Sequence, residues 1–425
     1  MSHSSAPRIL IVGAAYGGLY AALNLLNIFD GKPHFPSMMK LTPVSVPEVL
    51  PQIIILDERD GVFHTMGTPL VHVQHNSVIE NAWIKYSDIP ALKRRNVQIL
   101  QGRVVEIDPL QKRAFWRGTK SPADEPDRLL QYDYLIAATG LQRDWPILPK
   151  SQTKQQYIQD AKSHIMKIKG SRDYPIVVVG GGAVGTEFAA EIKHHHPEKR
   201  VILVHSRSTV LSNEPLPEGL KENALKTLKQ DGVEVILETR VINETTESVA
   251  EDGSQQIKLQ LSNGDELVAG HTIWATSRHL PRTDFLPPES LNENGFVKVL
   301  PTMQFCPTIP NSSVHFAVGD IAEWSGIKRV GRALSMGQCA AVNITKLVAA
   351  TSSKQRKEAE ALELQEYPYV PPMIALALGS TALTYHPDMG MSGGPEAYKT
   401  AFGTDLGLSI CWGILGLPLP VQAAA

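Results

Sequence analysis

Two stretches of the chain repeat one pattern of apolar and polar positions. Residues 8–12 (RILIV) form a short apolar run, the mark of a buried strand. They feed Gly13-Ala14-Ala15-Tyr16-Gly17-Gly18 and then an apolar helical stretch over 19–26. Residues 176–179 (IVVV) do the same, leading into Gly180-Gly181-Gly182-Ala183-Val184-Gly185 and a helix over 186–193. In this second helix Phe188, Ala189 and Ile192 share one face, as a helix packed on a sheet requires. Each unit continues with a second apolar strand, 52–56 and 200–204. Strand-like segments follow at 103–107 and 113–116 in the first unit, and at 233–237, 256–261 and 266–269 in the second. Each unit closes on a strand ending in Ala-Thr, 134–140 (YLIAATG) and 272–277 (TIWATS). Two such units, each with an inserted β-meander, predict an α/β protein of two tandem Rossmann-like domains.

The remaining segments fit around this duplication. The proline-rich residues 31–51 interrupt the first unit and read as a surface loop. Residues 314–318 (VHFAV) form a late strand that ends in Gly319-Asp320, and a small-residue-rich helix follows over 333–348. The charged stretch 351–366 reads as a linker or exposed helix, and 373–378 with 381–385 as a hairpin turning at Gly379-Ser380. The chain thus divides into 1–150 and 281–350, two parts of one dinucleotide-binding domain, 151–280, a second such domain, and 351–425, a small C-terminal α+β region.

The second glycine motif matches the dinucleotide fingerprint G-x-G-x-x-G between a strand and a helix. Gly180 allows the tight turn, Gly182 lets a pyrophosphate approach the backbone, and Gly185 lets helix and strand pack closely. The helix N-terminus supplies N–H donors and the positive dipole end. In the first motif Gly13 and Gly18 hold their places, but Ala15 occupies the central position. Asp57 ends the second strand and can accept a ribose 2′-OH, or it merely ends a strand. The 31–51 insertion lengthens its spacing beyond the usual ~20 residues. The equivalent end in the second unit reads His205-Ser206-Arg207. With no carboxylate there, Arg207 either meets the 2′-phosphate of NADP or is a surface arginine. Asp320, at a strand end, suits a polyol chain. Glu187 in the first turn of the second helix either complements the helix dipole or acts in the site, and Lys328 is either catalytic or a solvated loop lysine.

Composition narrows the class. The chain has 425 residues, 43% hydrophobic and 20% charged, which is globular rather than disordered. Lys plus Arg (41) against Asp plus Glu (43) gives a net charge of −2, which argues against a nucleic-acid partner. Lys93-Arg94-Arg95 reads as a solvated surface. Cys306, Cys339 and Cys411 are too scattered for a disulfide framework or a zinc site, so a reducing, cytoplasmic location is expected. His194-His195-His196 point in different directions on a helix, and no metal is expected. No secretory signal is evident, Ser2 excludes myristoylation, and no apolar stretch reaches the ~18–20 residues of a membrane span.

Residues 176–206 (IVVVGGGAVGTEFAAEIKHHHPEKRVILVHS), with LDERDGVFH (56–64), YLIAATG (134–140) and VHFAVGDIAEW (314–324), resemble a known family. It is the apoptosis-inducing-factor-like, ferroptosis-suppressor (AMID-like) group of FAD-dependent NAD(P)H oxidoreductases, with more distant similarity to type II NADH dehydrogenases. The resemblance implies FAD in the first unit, held by Gly13, Ala14, Ala15, Tyr16, Gly17, Gly18, Asp57, the backbone of Val104, Thr139, Gly140 and Asp320. It implies NAD(P)H in the second, held by Gly180, Gly182, Gly185, His205, Ser206 and Arg207. Glu187 resembles the family glutamate near the flavin–nicotinamide contact, and Lys328 the lysine beside the flavin pyrimidine edge. Ala15, the 31–51 insertion and Ser277 depart from the pattern. The implied activity is electron transfer from NAD(P)H through flavin to a quinone-like or aromatic acceptor. The alternatives are a tailoring enzyme acting on a specialised aromatic metabolite and a redox-gated interaction protein. The resemblance also allows peripheral membrane contact through the C-terminal segment. The cysteine spacing argues against a thiol relay, so the flavin is expected to reduce its acceptor directly, in a slot lined by the 373–385 hairpin and the 406–417 segment.

Overall fold

Ile9, Leu10 and Ile11 have no exposed surface, and a strand apolar on both faces belongs at the centre of a parallel sheet. Arg8–Val12 accordingly pairs in parallel with Gln52–Asp57 on one side and Tyr134–Ala137 on the other. In the computed structural model, which describes residues 6–37, 39–73, 76–122, 124–171, 173–249, 255–276, 280–352 and 362–419, this sheet has seven strands. His315–Ala317 joins beyond Tyr134–Ala137. Val97–Asp108 follows Gln52–Asp57 in parallel and then turns into an antiparallel meander with Arg113–Gly118 and Arg128–Gln131. The late strand therefore returns to the first sheet.

The second sheet has four parallel strands in the order Val233–Ile236, Val201–Val204, Ile176–Val179 and His271–Trp274. A three-stranded antiparallel layer, Val241–Val249, Gln255–Leu261 and Glu266–Ala269, is its inserted meander. The expected hairpin forms between Ile374–Leu378 and Thr381–His386 and turns at Gly379-Ser380, where Gly379 has φ +61°. A third strand, Gly390–Gly394, extends it, and helices Pro395–Phe402 and Leu408–Ile414 follow.

Helix Tyr16–Phe29 and helix Val330–Ser352 cross at glycines, since a Cβ on Gly337 would strike the Gly17 carbonyl. That close crossing fixes the N-terminus of the first helix beneath the Val318–Gly319–Asp320 turn, because Gly17 also meets Val318 and Ala333. Ser277 and residues 353–361 of the expected linker lie outside the described residues.

Candidate functional site

Both glycine turns are built alike. Gly13 (φ +86°) and Gly180 (φ +114°) adopt left-handed backbone, and a Cβ on either would lie 2.7–2.8 Å from the carbonyl of Ala138 or Ala275, just past the neighbouring strand. A Cβ on Gly18 would overlap the Gly13 carbonyl, and one on Gly185 the Gly180 carbonyl. Gly18 and Gly185 thus serve helix–strand packing. A Cβ on Gly182 would meet nothing within 4 Å, so the space above it is open. Ala15 and Gly182 are the N-caps of helices Tyr16–Phe29 and Ala183–His195, and neither end has a side-chain cap. Helix-start N–H groups without a side-chain cap suit an anionic ligand.

The strand ends open on two adjoining clefts. One, of about 580 Å³, is lined by Gly13, Asp57, Val104 and Thr139, together with Arg59, Arg143 and Arg282. At its base the Asp57 carboxylate accepts the N–H of Ala14 (2.7 Å) and of Arg59 (2.8 Å). Burial raises the Asp57 carboxyl above its ordinary range, against the opposing pull of Arg59 and these two N–H groups. The other cleft, of about 1120 Å³, runs between the two sheets. Ala15, Tyr16, Gly17, Gly140 and Asp320 line one side, and Gly180, Gly182, His205 and Ser206 the other. Thr139 and Arg143 line both clefts.

Glu187 and Lys328 face the larger cleft. Glu187 Oε1 accepts the Ala377 N–H (3.1 Å). Burial, with Glu191 nearby, pushes its carboxyl up to about 8, so it is a neutral acid at pH 7. Lys328 Nζ donates to the Asp320 carbonyl (2.8 Å) and lies 4.1 Å from the centre of the Phe296 ring. Burial and Arg332 lower it to about 8.

His205 does not reach into the cleft as a free ligand group. Its Nδ1 accepts the Gly181 N–H (3.0 Å), which puts the ring proton on Nε2, directed at Ser212 Oγ (3.0 Å). The imidazole braces the second glycine turn. Arg207 is exposed and lines neither cleft, whereas Arg240, on the next loop, does line the larger one. Sequence reasoning missed Arg240, as it did Arg143, Arg329 and Phe296, none of which lies in a recognisable motif. Arg143, just beyond Gly140, could have been suspected from position alone.

The 374–378 strand contributes Ile374 and Ala375 to the cleft, and helix Pro395–Phe402 contributes Phe402. The 406–417 segment does not line it, contrary to expectation: Leu406, Leu408, Cys411 and Trp412 are spent in the core behind it. The three consecutive histidines diverge. His194 packs on Gly379, His195 faces Glu191, and His196 Nε2 donates to the Val73 carbonyl (3.0 Å). Among the described residues no group of three His, Cys, Asp or Glu side chains is placed to hold a metal.

The model of the pyridine nucleotide-disulphide oxidoreductase family matches residues 7–337. The chain belongs to that family. It is 39% identical to oxidoreductase OXR1 of Ajellomyces capsulatus, over 98% of this chain and 90% of that protein. It is 27% identical to ferroptosis suppressor protein 1 of Mus musculus, over 83% of each. Among solved structures, the reduced Bacillus anthracis CoADR-RHD superposes with a TM-score of 0.62 at 18% identity, covering 91% of this chain and 63% of that longer one. Membership makes the chain an FAD- and NAD(P)H-dependent oxidoreductase. The residues present fit both groups, with two uncapped helix starts at glycine turns, an open approach over Gly182, and Asp57 and Asp320 at strand ends.

Proposed function

We propose that the protein passes two electrons from NAD(P)H through FAD to a flat aromatic acceptor of the quinone class. The observation that carries this reading is the larger cleft, which joins both glycine turns to an apolar wall of Ile374, Ala375 and Phe402. Such a slot suits a planar apolar molecule held by few polar groups. When bound, FAD supplies hydride acceptance and onward electron transfer.

The chain's own residues do the positioning. Asp57 and Asp320 hold the hydroxyl-bearing parts of FAD, and the uncapped helix start at Ala15 faces its pyrophosphate. The corresponding start at Gly182 serves NAD(P)H. Lys328 supplies a fixed cation in a partly desolvated site, where it stabilises negative charge most effectively. Glu187 presents a neutral acid to the same space.

Direct transfer is favoured over a thiol relay. Cys306, Cys339 and Cys411 line neither cleft, and burial pushes Cys339 and Cys411 up to about 12, which keeps them as unreactive thiols. Met389, Met391 and Leu419 are exposed apolar side chains of the C-terminal region, suited to peripheral contact with a membrane carrying the acceptor. Among the described residues no helix is long and apolar enough to cross a membrane. The test replaces Cys306, Cys339 and Cys411 together by serine or alanine. Quinone reduction by the flavin-loaded variant should persist. Its loss, with flavin reduction by NAD(P)H intact, would show that a cysteine carries the electrons.

A further inference from the structure

Helix Ala183–His195 places three titratable side chains one turn apart on one face: Glu187, Glu191 and His195. They run from cleft to surface. Glu187 lines the cleft, Glu191 is 1% exposed, and the His195 side chain is 23% exposed. Neither carboxyl oxygen of Glu191 has a hydrogen-bond partner, an expensive arrangement for so buried a group. Its Oε2 lies 3.4 Å from His195 Nε2, and Glu187 stands one helical turn away toward the cleft.

We propose that Glu187, Glu191 and His195 form a proton relay that carries a solvent proton into the cleft in each turnover. This rests on the two-electron reduction of a quinone proposed above. Converting a quinone to a hydroquinone takes two electrons and two protons, and the hydride of NAD(P)H brings two electrons and one proton. The second proton must come from water. In the relay the Glu187 O–H bond breaks as the second hydroquinone O–H forms. Glu187 then takes a proton from Glu191, Glu191 from the His195 imidazolium, and His195 from solvent. Histidine is the side chain suited to proton exchange with water near neutral pH.

Other titratable groups stand close to these three residues. Tyr398, on helix Pro395–Phe402, couples to Glu187, Glu191 and Asp405, and burial with these acids holds its phenol protonated. His194 lies near Asp231, and Glu198 lies 3.8 Å from His196, so both acids neighbour other histidines than His195.

The test uses the flavin-loaded protein with Glu191→Gln and His195→Ala. Two acceptors are compared: 1,4-benzoquinone, which needs protons, and ferricyanide, which takes electrons alone. Loss of a proton carrier should slow quinone turnover by about tenfold or more, within the usual span of general acid–base effects. Ferricyanide turnover should stay within about twofold, and imidazole in the medium should restore His195→Ala. A readout independent of turnover is the infrared carboxyl band assigned through Glu187→Gln. Its exchange in D2O should be slower in Glu191→Gln than in the wild type. Wild-type quinone rates and unchanged band exchange in both variants would overturn the relay while leaving the acceptor assignment standing. A wild type that reduces ferricyanide but no quinone would overturn the acceptor assignment, and the relay with it. Should Glu191→Gln lose flavin, the surface variant His195→Ala and its imidazole rescue decide the matter.

Discussion

The Tyr16 hydroxyl lies 2.7 Å from His64 Nδ1, tying the first glycine turn to the strand–loop after Asp57. His64 Nε2 lies 3.1 Å from the Leu406 carbonyl, which only accepts, so Nε2 carries the ring proton and Tyr16 donates. One neutral imidazole thus connects the start of the chain to its C-terminal region. Burial lowers His64 to about 4, which keeps it in that neutral form.

Tyr16→Phe leaves a buried ring nitrogen without its donor. A cost of about 1–3 kcal/mol is expected, with weaker flavin retention because Tyr16 also lines the cleft. Thermal unfolding with and without added FAD measures both. Unchanged stability in the variant would mean that the hydroxyl contributes nothing.

The glycine turns, the alternation of sheets and the return of 315–317 to the first sheet were legible because each rests on an apolar run or a positive-φ glycine. The hairpin at Gly379-Ser380 was legible too, but its third strand, Gly390–Gly394 (GMSGG), carries no alternation to read. Helix Lys154–Gly170 is not among the elements the sequence pattern predicts above, although Tyr157, Ala161, Ile165 and Ile168 mark its buried face. At the site, residues within motifs were legible and residues brought in by loops were not. Arg240 reaches the cleft through the fold of the second unit, while Arg207, beside the motif strand, is exposed and lines neither cleft. His205 lines the cleft, with its ring bonded to Gly181 and Ser212.

Cofactor choice should follow Arg240 rather than Arg207. A guanidinium on the cleft wall can meet a 2′-phosphate, and an exposed one outside it contributes little. Arg240→Glu should lower kcat/KM for NADPH by about tenfold or more relative to NADH, a loss of about 1.4 kcal/mol, and Arg207→Glu should change the ratio by much less. Steady-state assays with both nucleotides decide it. A larger effect at Arg207 would reverse the assignment.

Acid should destabilise the protein as pH falls below about 6.5, through its buried histidines. Burial lowers His64, His271 and His315 to about 4 and His72 to about 3. Their folded values lie below the unfolded value near 6.5, so the unfolded chain binds more protons between about 4 and 6.5. The stability they contribute is complete above about 6.5 and is lost as pH falls toward about 4. Glu187 acts in the opposite sense. Its raised value, about 8, contributes stability that is complete below about 4.5 and is lost as pH rises through about 8. Four histidines outweigh one glutamate, so the melting temperature should fall steeply from pH 6.5 to pH 4. A flat profile there would contradict the buried neutral histidines.

The most direct measurement is anaerobic rapid mixing of the FAD-loaded protein, first with NADPH or NADH and then with 1,4-benzoquinone, following flavin absorbance. We expect the flavin to bleach on the first mix and to recover fully on the second, with one hydroquinone formed per flavin and the same stoichiometry in the cysteine-free variant. Flavin that bleaches with NAD(P)H yet stays reduced in the presence of the quinone would contradict the proposed function.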